Sequence, residues 1–497
     1  MSTIPTKNIW YTSISIILPS VFTYVFWILI ARVAGPEAVG ITSSIGSVVI
    51  IIATIDGLDM FLGMKRNLSI AISSGDIYRF KQVLVSTLLI VSIVVTINSI
   101  LIAIPSLRIL EIIGIQREYT WIIIAMIFAQ SFQYILVEAI IAALKSKCLV
   151  IPFLLGSLAR FPIFFGIYWL FNTSLTVATI FAFSSLLFIT TICFAISLFM
   201  IIGQSPRVKP EKFFSTVKDT LAAGLSSWIP HTANVAGYWL GIIAVFSSEG
   251  ATSGGKFYIS LGIFTITLFV LTGITKVTHA LIALIDKKEQ QDTFLLHYMR
   301  VTFIFSLPFA IPLLFFSADF LGLMGQEFRS AGQSLSIFII SLPLLIISEL
   351  IYYFVYGLGD HKSVLFIGLV GNIPRIIFYF ILSPILGING AAVSFLIGSA
   401  TGLLASIKIR NTYKIPLEFR KYVTLTGIPI ILGVSLWILN VNYLISTIII
   451  IIGSFLGYIR LYLFTTNELH EIVYAIMPGN LAQRTYSIIE KIIKKIQ

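Results

Sequence analysis

Charge is what this sequence has least of. Charged residues of both signs make up 11% of its 497 positions, and only 21 of them are Asp or Glu against 33 Lys and Arg, a formal net charge of +12. Hydrophobic residues reach 58% and the mean hydropathy is +1.00, a composition that excludes an ordinary soluble domain. Cysteine is nearly absent as well. Cys148 and Cys193 stand alone in apolar flanks without CxxC or Cys/His spacing, so neither a disulfide framework nor a metal site is indicated. No secretory leader is expected: the polar MSTIPTKN runs into an apolar stretch over 9–33, too long for a signal h-region. No cofactor motif survives inspection. GATSGGKF, Gly250 to Phe257, matches the glycines and lysine of a phosphate-binding loop, but Phe257 stands where Ser or Thr must ligate magnesium. No basic domain lies outside the apolar runs, which excludes a nucleic-acid partner.

What remains is a succession of apolar segments of membrane-crossing length. Helical spans are expected at 9–33, 39–63, 82–105, 119–143, 148–171 and 176–202. A charged linker over 203–219 interrupts, and spans resume at 220–247, 257–285, 298–317, 331–357, 363–386, 389–407, 422–440 and 443–464. The fold class is therefore all-α, a polytopic membrane protein of about fourteen spans. Loop charge tests the count. Twenty-three of the 33 cations fall in alternate loops and both termini, among them Lys65, Arg66, Lys145, Lys209, Lys287, Lys408 and Lys414. Short cytoplasmic loops carry such an excess, so both termini are expected in the cytoplasm and the protein in the cell membrane. The last residues, with Ile488, Ile489, Ile492, Ile493 and Ile496 on one helical face and Lys491, Lys494 and Lys495 off it, read as an interfacial helix.

Two arginines sit inside spans. Arg160 lies thirteen residues after Lys147 and four after Gly156; Arg375 lies thirteen after Lys362 and four after Gly371, so the offset between the copies is 215 residues. Pro19 in span one and Pro230 in span seven stand at a similar offset. Spans one to six and seven to twelve thus form a duplicated unit, the two copies running the same way through the membrane. The expected organisation is an N-terminal six-helix lobe over 1–202, the linker 203–219, a C-terminal six-helix lobe over 220–410, two further helices over 411–464 and an amphipathic tail over 465–497.

Thirteen residues at about 1.5 Å each puts both arginines roughly 20 Å into the membrane, where a cation costs about 2.5 to 3.5 kcal/mol unless water, a carboxylate or an anion meets it. Arg160 and Arg375 are accordingly expected to be anion-binding groups. Other polar groups inside spans are Asp56, Asp59, Glu138, His231, Asn234, Lys276, His279 and Glu349; an interhelical pairing explains any one of them as well as ligand contact does. For Lys276 an ion pair with Asp56 or Asp59 leads, and Lys276 and Asp56 join the arginines as candidate substrate contacts.

Fourteen spans in a 6+6+2 order, with RVAGPEAVG closing span one, DGLDMFLGMKR closing span two and PILGINGAA leading into span twelve, resemble the multidrug/oligosaccharidyl-lipid/polysaccharide (MOP) exporter superfamily and, within it, the Wzx-type polysaccharide-biosynthesis flippases. The motif positions are Gly35, Pro36, Glu37 and Gly40; Asp56, Gly57, Leu58 and Arg66; and Gly387, Gly390, Ala391 and Ala392. The resemblance implies a transporter rather than an enzyme, working without a cofactor. Its substrate would be a polyprenyl or dolichyl (pyro)phosphate glycan, moved to the outer leaflet by alternating access of the two lobes, with membrane lipids and glycosyltransferases of the same pathway as partners. A lipid II flippase is a close chemical relative. A cation-coupled multidrug exporter of the same superfamily needs a carboxylate in span one or seven, and neither span has one. A membrane glycosyltransferase or polymerase needs paired acids on a sizeable outer loop, whereas Glu111, Glu118, Glu249, Asp319 and Glu327 show no such spacing.

Overall fold

A computed structural model describes residues 3–202, 213–282 and 287–463, together with Ile285 and Gln483. Apart from Gln483, the amphipathic tail expected over 465–497 lies outside the described residues, as does the linker segment 203–212. Among the described residues every regular element is helical. Long apolar runs leave no other choice, since in hydrocarbon each backbone polar group must be satisfied within its own segment.

The helices follow the expected spans closely. They are α1 (Thr3–Val33), α2 (Gly35–Asp56), α3 (Met60–Ser73), α4 (Ile77–Ala103), α5 (Ile109–Ile112), α6 (Thr120–Ala142), α7 (Lys147–Leu170), α8 (Leu175–Ile202) and α9 (Phe213–Glu249). After them come α10 (Ala251–Thr267), α11 (Phe269–Ile282), α12 (Lys288–Phe315), α13 (Ser317–Gly322), α14 (Gly332–Gly357), α15 (His361–Tyr413), α16 (Phe419–Ile438) and α17 (Tyr443–Arg460). Among the described residues eleven helices are long and apolar enough to cross a membrane, and every expected span coincides with a helix or a consecutive pair of them. The linker expected through 219 gives way to helix earlier, at Phe213.

Two expected spans are broken. Span two divides at 57–59, where Gly57 caps α2 and Leu58 and Asp59 take positive φ of 47° and 48°. Span eight divides at Leu268, flanked by Thr265, Thr267 and Thr272, whose hydroxyls bond carbonyls three or four residues back. Such back-bonding bends helices.

Spans eleven and twelve run as one 53-residue element, α15, interrupted at Gly387 by φ 59° and ψ −138°. A straight helix of that length would reach about 80 Å. Instead the Tyr413 hydroxyl at its end donates to Asp360 Oδ2 at its start, at 2.7 Å, so the break turns the helix back on itself. Only glycine adopts that conformation freely.

The chain divides into two compact units, residues 1–258 with 376–391, and 259–375 with 392–497. In the first, an apolar core joins α2, α3, α4, α6, α7 and α8 around Ile45, Met64, Val91, Met126, Ile135 and Phe194. In the second, α12 packs on α14, α16 and α17, and Phe303 meets Tyr422 with ring centroids 5.0 Å apart.

Asp360 is the N-cap of α15 and sits outside the spans, in the loop after α14. Burial pushes its carboxyl up, but donors from Ser363, Tyr413 and the backbone N–H groups of Ser363 and Lys362 outweigh this and hold it below the usual carboxylate range. Burial, and after it the hydrogen bond to Asp360, pushes the Tyr413 hydroxyl up to about 12. A depressed carboxylate stabilises the fold above its unfolded pKa and loses that contribution as pH falls through its folded one. Thermal unfolding of wild type and Asp360→Asn should therefore differ by a constant margin from pH 8 to 5, with the margin narrowing below about pH 4; a margin as wide at pH 3 as at pH 7 would show that the carboxylate charge is not what joins the ends of the hairpin.

Candidate functional site

Arg160 is the fourteenth residue of α7, and Gly156 one turn before it is where α7 meets α8: a Cβ there would lie 2.9 Å from Leu186 Cδ1 and Thr190 Cγ2. The second copy repeats this packing. A Cβ on Gly371 would lie 3.3 Å from Gly402 Cα, so the two halves of α15 approach through glycine at the matching place. Each glycine brings a pair of consecutive spans together and sets the following arginine at their seam.

From there the two side chains part. Arg160 is 2% exposed. Its Nη1 donates to Thr23 Oγ1 of α1 at 3.3 Å, and its Cζ lies 5.3 Å from the Phe26 ring and 5.4 Å from the Phe183 ring. Arg375 instead lies along its own hairpin. Its Nη1 donates to Asn372 Oδ1 at 3.2 Å, its Nη2 to Ser399 Oγ at 3.3 Å, and its Cζ is 4.2 Å from the Phe395 ring. The cause is one residue. Gly398 occupies the position that Phe183 holds in the first copy, and a Cβ there would already be 2.5 Å from Arg375 Nε. Where the first copy has a ring, the second has room for the guanidinium.

The surroundings of Arg160 are aromatic, and among the described residues no carboxylate pairs with it. Thr23, Phe26 and Trp27 share one face of α1. Trp27 stacks at an angle on Phe183, with centroids 5.7 Å apart, and edge-on to Tyr258 at 4.8 Å. Arg160 Nε and Trp27 Nε1 are both buried without a hydrogen-bond acceptor. A buried donor left unmade costs about 1 to 3 kcal/mol, more when charged. The composition of span one pointed to Pro19 and missed Thr23 and Trp27; their i, i+4 spacing was the available signal.

Asp56, the last residue of α2, is fully buried and accepts from Asn98 Nδ2 of α4. Asp59, in the break that follows, has His231 Nδ1 of α9 3.6 Å from its Oδ1, and Trp228 Nε1 donates to the Ile55 carbonyl at 3.2 Å. The break between α2 and α3 is thus a polar joint held by α4 and α9. Glu138, Asn234 and Glu349 are half-buried. Lys276 and His279 fall on α11 and Arg66 on α3, but their side chains lie outside the described residues, so the pairing expected for Lys276 has no geometry to report.

No protein-family model matches this chain, and no curated sequence is similar to it. Solved structures are similar in fold. An inward-facing MATE-family multidrug resistance transporter of the MOP superfamily aligns with a TM-score of 0.65 at 16% identity, over 82% of this chain and 98% of that one. The lipid II flippase MurJ, in an inward closed conformation, aligns with a TM-score of 0.71 at 15% identity, over 91% and 98%. A MOP superfamily transporter from Pyrococcus furiosus, for which a reversed polarity of the binding pocket suggests a different function, gives 0.57 at 17% identity, over 82% and 96%. This chain has the MOP fold.

Within the MOP fold the short glycine motifs acquire physical reasons. Gly35 (φ 77°) opens α2 two residues after α1 ends, Pro36 follows in the first turn where its missing N–H costs nothing, and Glu37 sits in the same positive turn. Gly57 caps α2 ahead of the joint. At Gly387 a Cβ would lie 2.1 Å from Glu249 Oε1, and at Gly390 it would lie 2.1 Å from the Leu382 carbonyl; Ala391 and Ala392 are fully buried behind them.

Gly40 has the closest approach of all. A Cβ there would be 1.8 Å from the Ala251 carbonyl oxygen, and a Cβ on Gly255 would be 1.9 Å from the Pro36 carbonyl oxygen. Residues 36 and 40 become 251 and 255 on adding the repeat offset of 215. The start of α2 therefore crosses the start of α10 at matching residues, each glycine facing the other helix's backbone, as a local twofold contact requires. Alanine at either position forces the backbones apart. Gly255→Ala should lower the thermal midpoint by several degrees, whereas Gly262→Ala, where a Cβ meets nothing within 4 Å, should leave it unchanged or raise it; equal stability of the two variants would contradict the crossing.

Proposed function

We propose that this chain is a flippase that carries a lipid-linked oligosaccharide from the cytoplasmic to the outer leaflet of the cell membrane, with both termini in the cytoplasm. The observation that carries the reading is Arg160, a permanent cation 2% exposed in mid-span and without a carboxylate partner among the described residues. A substrate that brings its own negative charge supplies what the protein withholds. A polyprenyl phosphate glycan does so with its phosphate beside the bilayer and its lipid tail still in it. Arg375, at the matching position of the second copy, and Asp56 and Lys276 are the further candidate contacts.

The extent of the structural likeness supports the same reading. The lipid II flippase covers 91% of the chain where the multidrug transporter covers 82%. The difference is about 45 residues, the length that α16, α17 and their connection occupy. A cation-coupled exporter is the second reading, and it lacks its usual acid: α1 has no Asp or Glu, nor does α9 from Thr220 to Phe246.

The test is translocation in proteoliposomes holding a short-chain polyprenyl-diphosphate oligosaccharide, read by lectin access from the opposite face. Wild type should expose the glycan. Arg160→Gln should slow this by about tenfold to a hundredfold, the equivalent of about 1.5 to 3 kcal/mol for one charge-assisted contact, at normal abundance, and Arg160→Lys should recover part of it. Efflux of cationic dyes with no movement of the glycan lipid would replace the flippase with the exporter.

A further inference from the structure

The donors around Arg160 carry the reading further. Arg160 Nε and Trp27 Nε1 are the two buried donors in this cluster without an acceptor, and they come from different helices, α7 and α1. Thr23 lies one turn before Trp27 on α1 and holds Arg160 Nη1 by its hydroxyl. Phe183 ties them together, lying 5.4 Å from the guanidinium carbon and 5.7 Å from the Trp27 ring. Trp27 is 5% exposed and Phe26 fully buried, so bulk water does not serve these donors in this state.

A cluster made of a fixed cation, an indole N–H and a hydroxyl, walled by phenyl rings, has a definite chemical preference. The two groups left without a partner in it, Arg160 Nε and Trp27 Nε1, are both donors, and the Thr23 hydroxyl can donate as well as accept, so the complement is a group rich in acceptors. The guanidinium asks that this group be negative, and donors arriving from two helices ask that it offer oxygens in more than one direction. A phosphate meets all three demands, while a planar carboxylate serves the guanidinium fork but leaves the indole aside. Arg375 enters none of these contacts: its side chain lies along its own hairpin, on Asn372 and Ser399.

We infer that Arg160, Trp27 and Thr23 form a phosphate-binding site built by α1 and α7 of the first unit, in which the Trp27 indole N–H is a direct ligand of the phosphate. This rests on the flippase reading for its substrate and adds two residues that the repeat pattern alone does not single out. The phosphate is either that of a lipid headgroup or a free ion, and the site chemistry is shared by the two.

The full-length protein in maltoside micelles, labelled with 5-fluorotryptophan, separates these cases by fluorine NMR. The Trp27 resonance is the one of the seven that disappears in Trp27→Phe. Farnesyl phosphate should shift it, farnesol should not, and Arg160→Gln should weaken the apparent affinity at least tenfold while Arg160→Lys keeps part of it. A shift with inorganic phosphate equal to that with farnesyl phosphate supports the site with a free ion as ligand; a shift with farnesyl phosphate alone supports it with a lipid headgroup. A Trp27 resonance unmoved by either phosphate, or moved as far by farnesol, overturns the site. The two readings fail separately: a protein that shows the shift but flips no glycan keeps the site and loses the flippase, and one that flips glycan without the shift loses only the site.

Discussion

A guanidinium cannot be neutralised inside a membrane by giving up its proton, because its pKa lies too high. It must be answered by an anion, by stacked rings or by fixed acceptors, and the arrangement of the first unit around Arg160 follows from that constraint. Phe26 and Phe183 meet it through their faces and Thr23 through a long hydrogen bond. Among the described residues no carboxylate meets it. The charge is tolerated but not cancelled, which is the condition that the proposed movement of an anionic amphiphile requires.

Duplication explains how the arginine arrives there twice and why the two copies serve different ends. The offset of 215 residues relates Gly156 to Gly371, Arg160 to Arg375, and Gly40 to Gly255. At the first pair the copies behave alike, each glycine closing one span on the next. At the third they meet each other, α2 crossing α10 backbone to backbone. At the second they diverge, because Gly398 replaces Phe183 and the guanidinium of Arg375 turns onto Ser399 and Phe395. One substitution separates a guanidinium hydrogen-bonded within its own hairpin from one that reaches across to Thr23 of another helix.

Most of the architecture was legible in the sequence, because hydropathy over some twenty residues is a strong signal and loop glycines mark its limits. The turn at Gly387 between 363–386 and 389–407 was readable in this way, and so was the Gly35 and Pro36 junction. Hydropathy could not show the breaks at 57–59 and at Leu268, since the residues on both sides are equally apolar; the first is set by backbone conformation at Leu58 and Asp59 and the second lies among hydroxyl back-bonds. The arginines were legible as positions and not as environments. Nothing in a single apolar segment says that Arg160 reaches across to Thr23 or that Trp27 shares its cluster, although aligning the copies at the 215-residue offset sets Phe183 against Gly398.

The claim on which everything else depends is that the protein leaves the charge of Arg160 for a phosphate to answer. Native mass spectrometry of the protein extracted from a membrane that makes polyprenyl phosphates measures this directly. A retained polyprenyl phosphate or diphosphate glycan is expected on wild type, reduced at least tenfold on Arg160→Gln at equal folded yield. Equal retention by the variant, or retention of uncharged lipids alone, would contradict it.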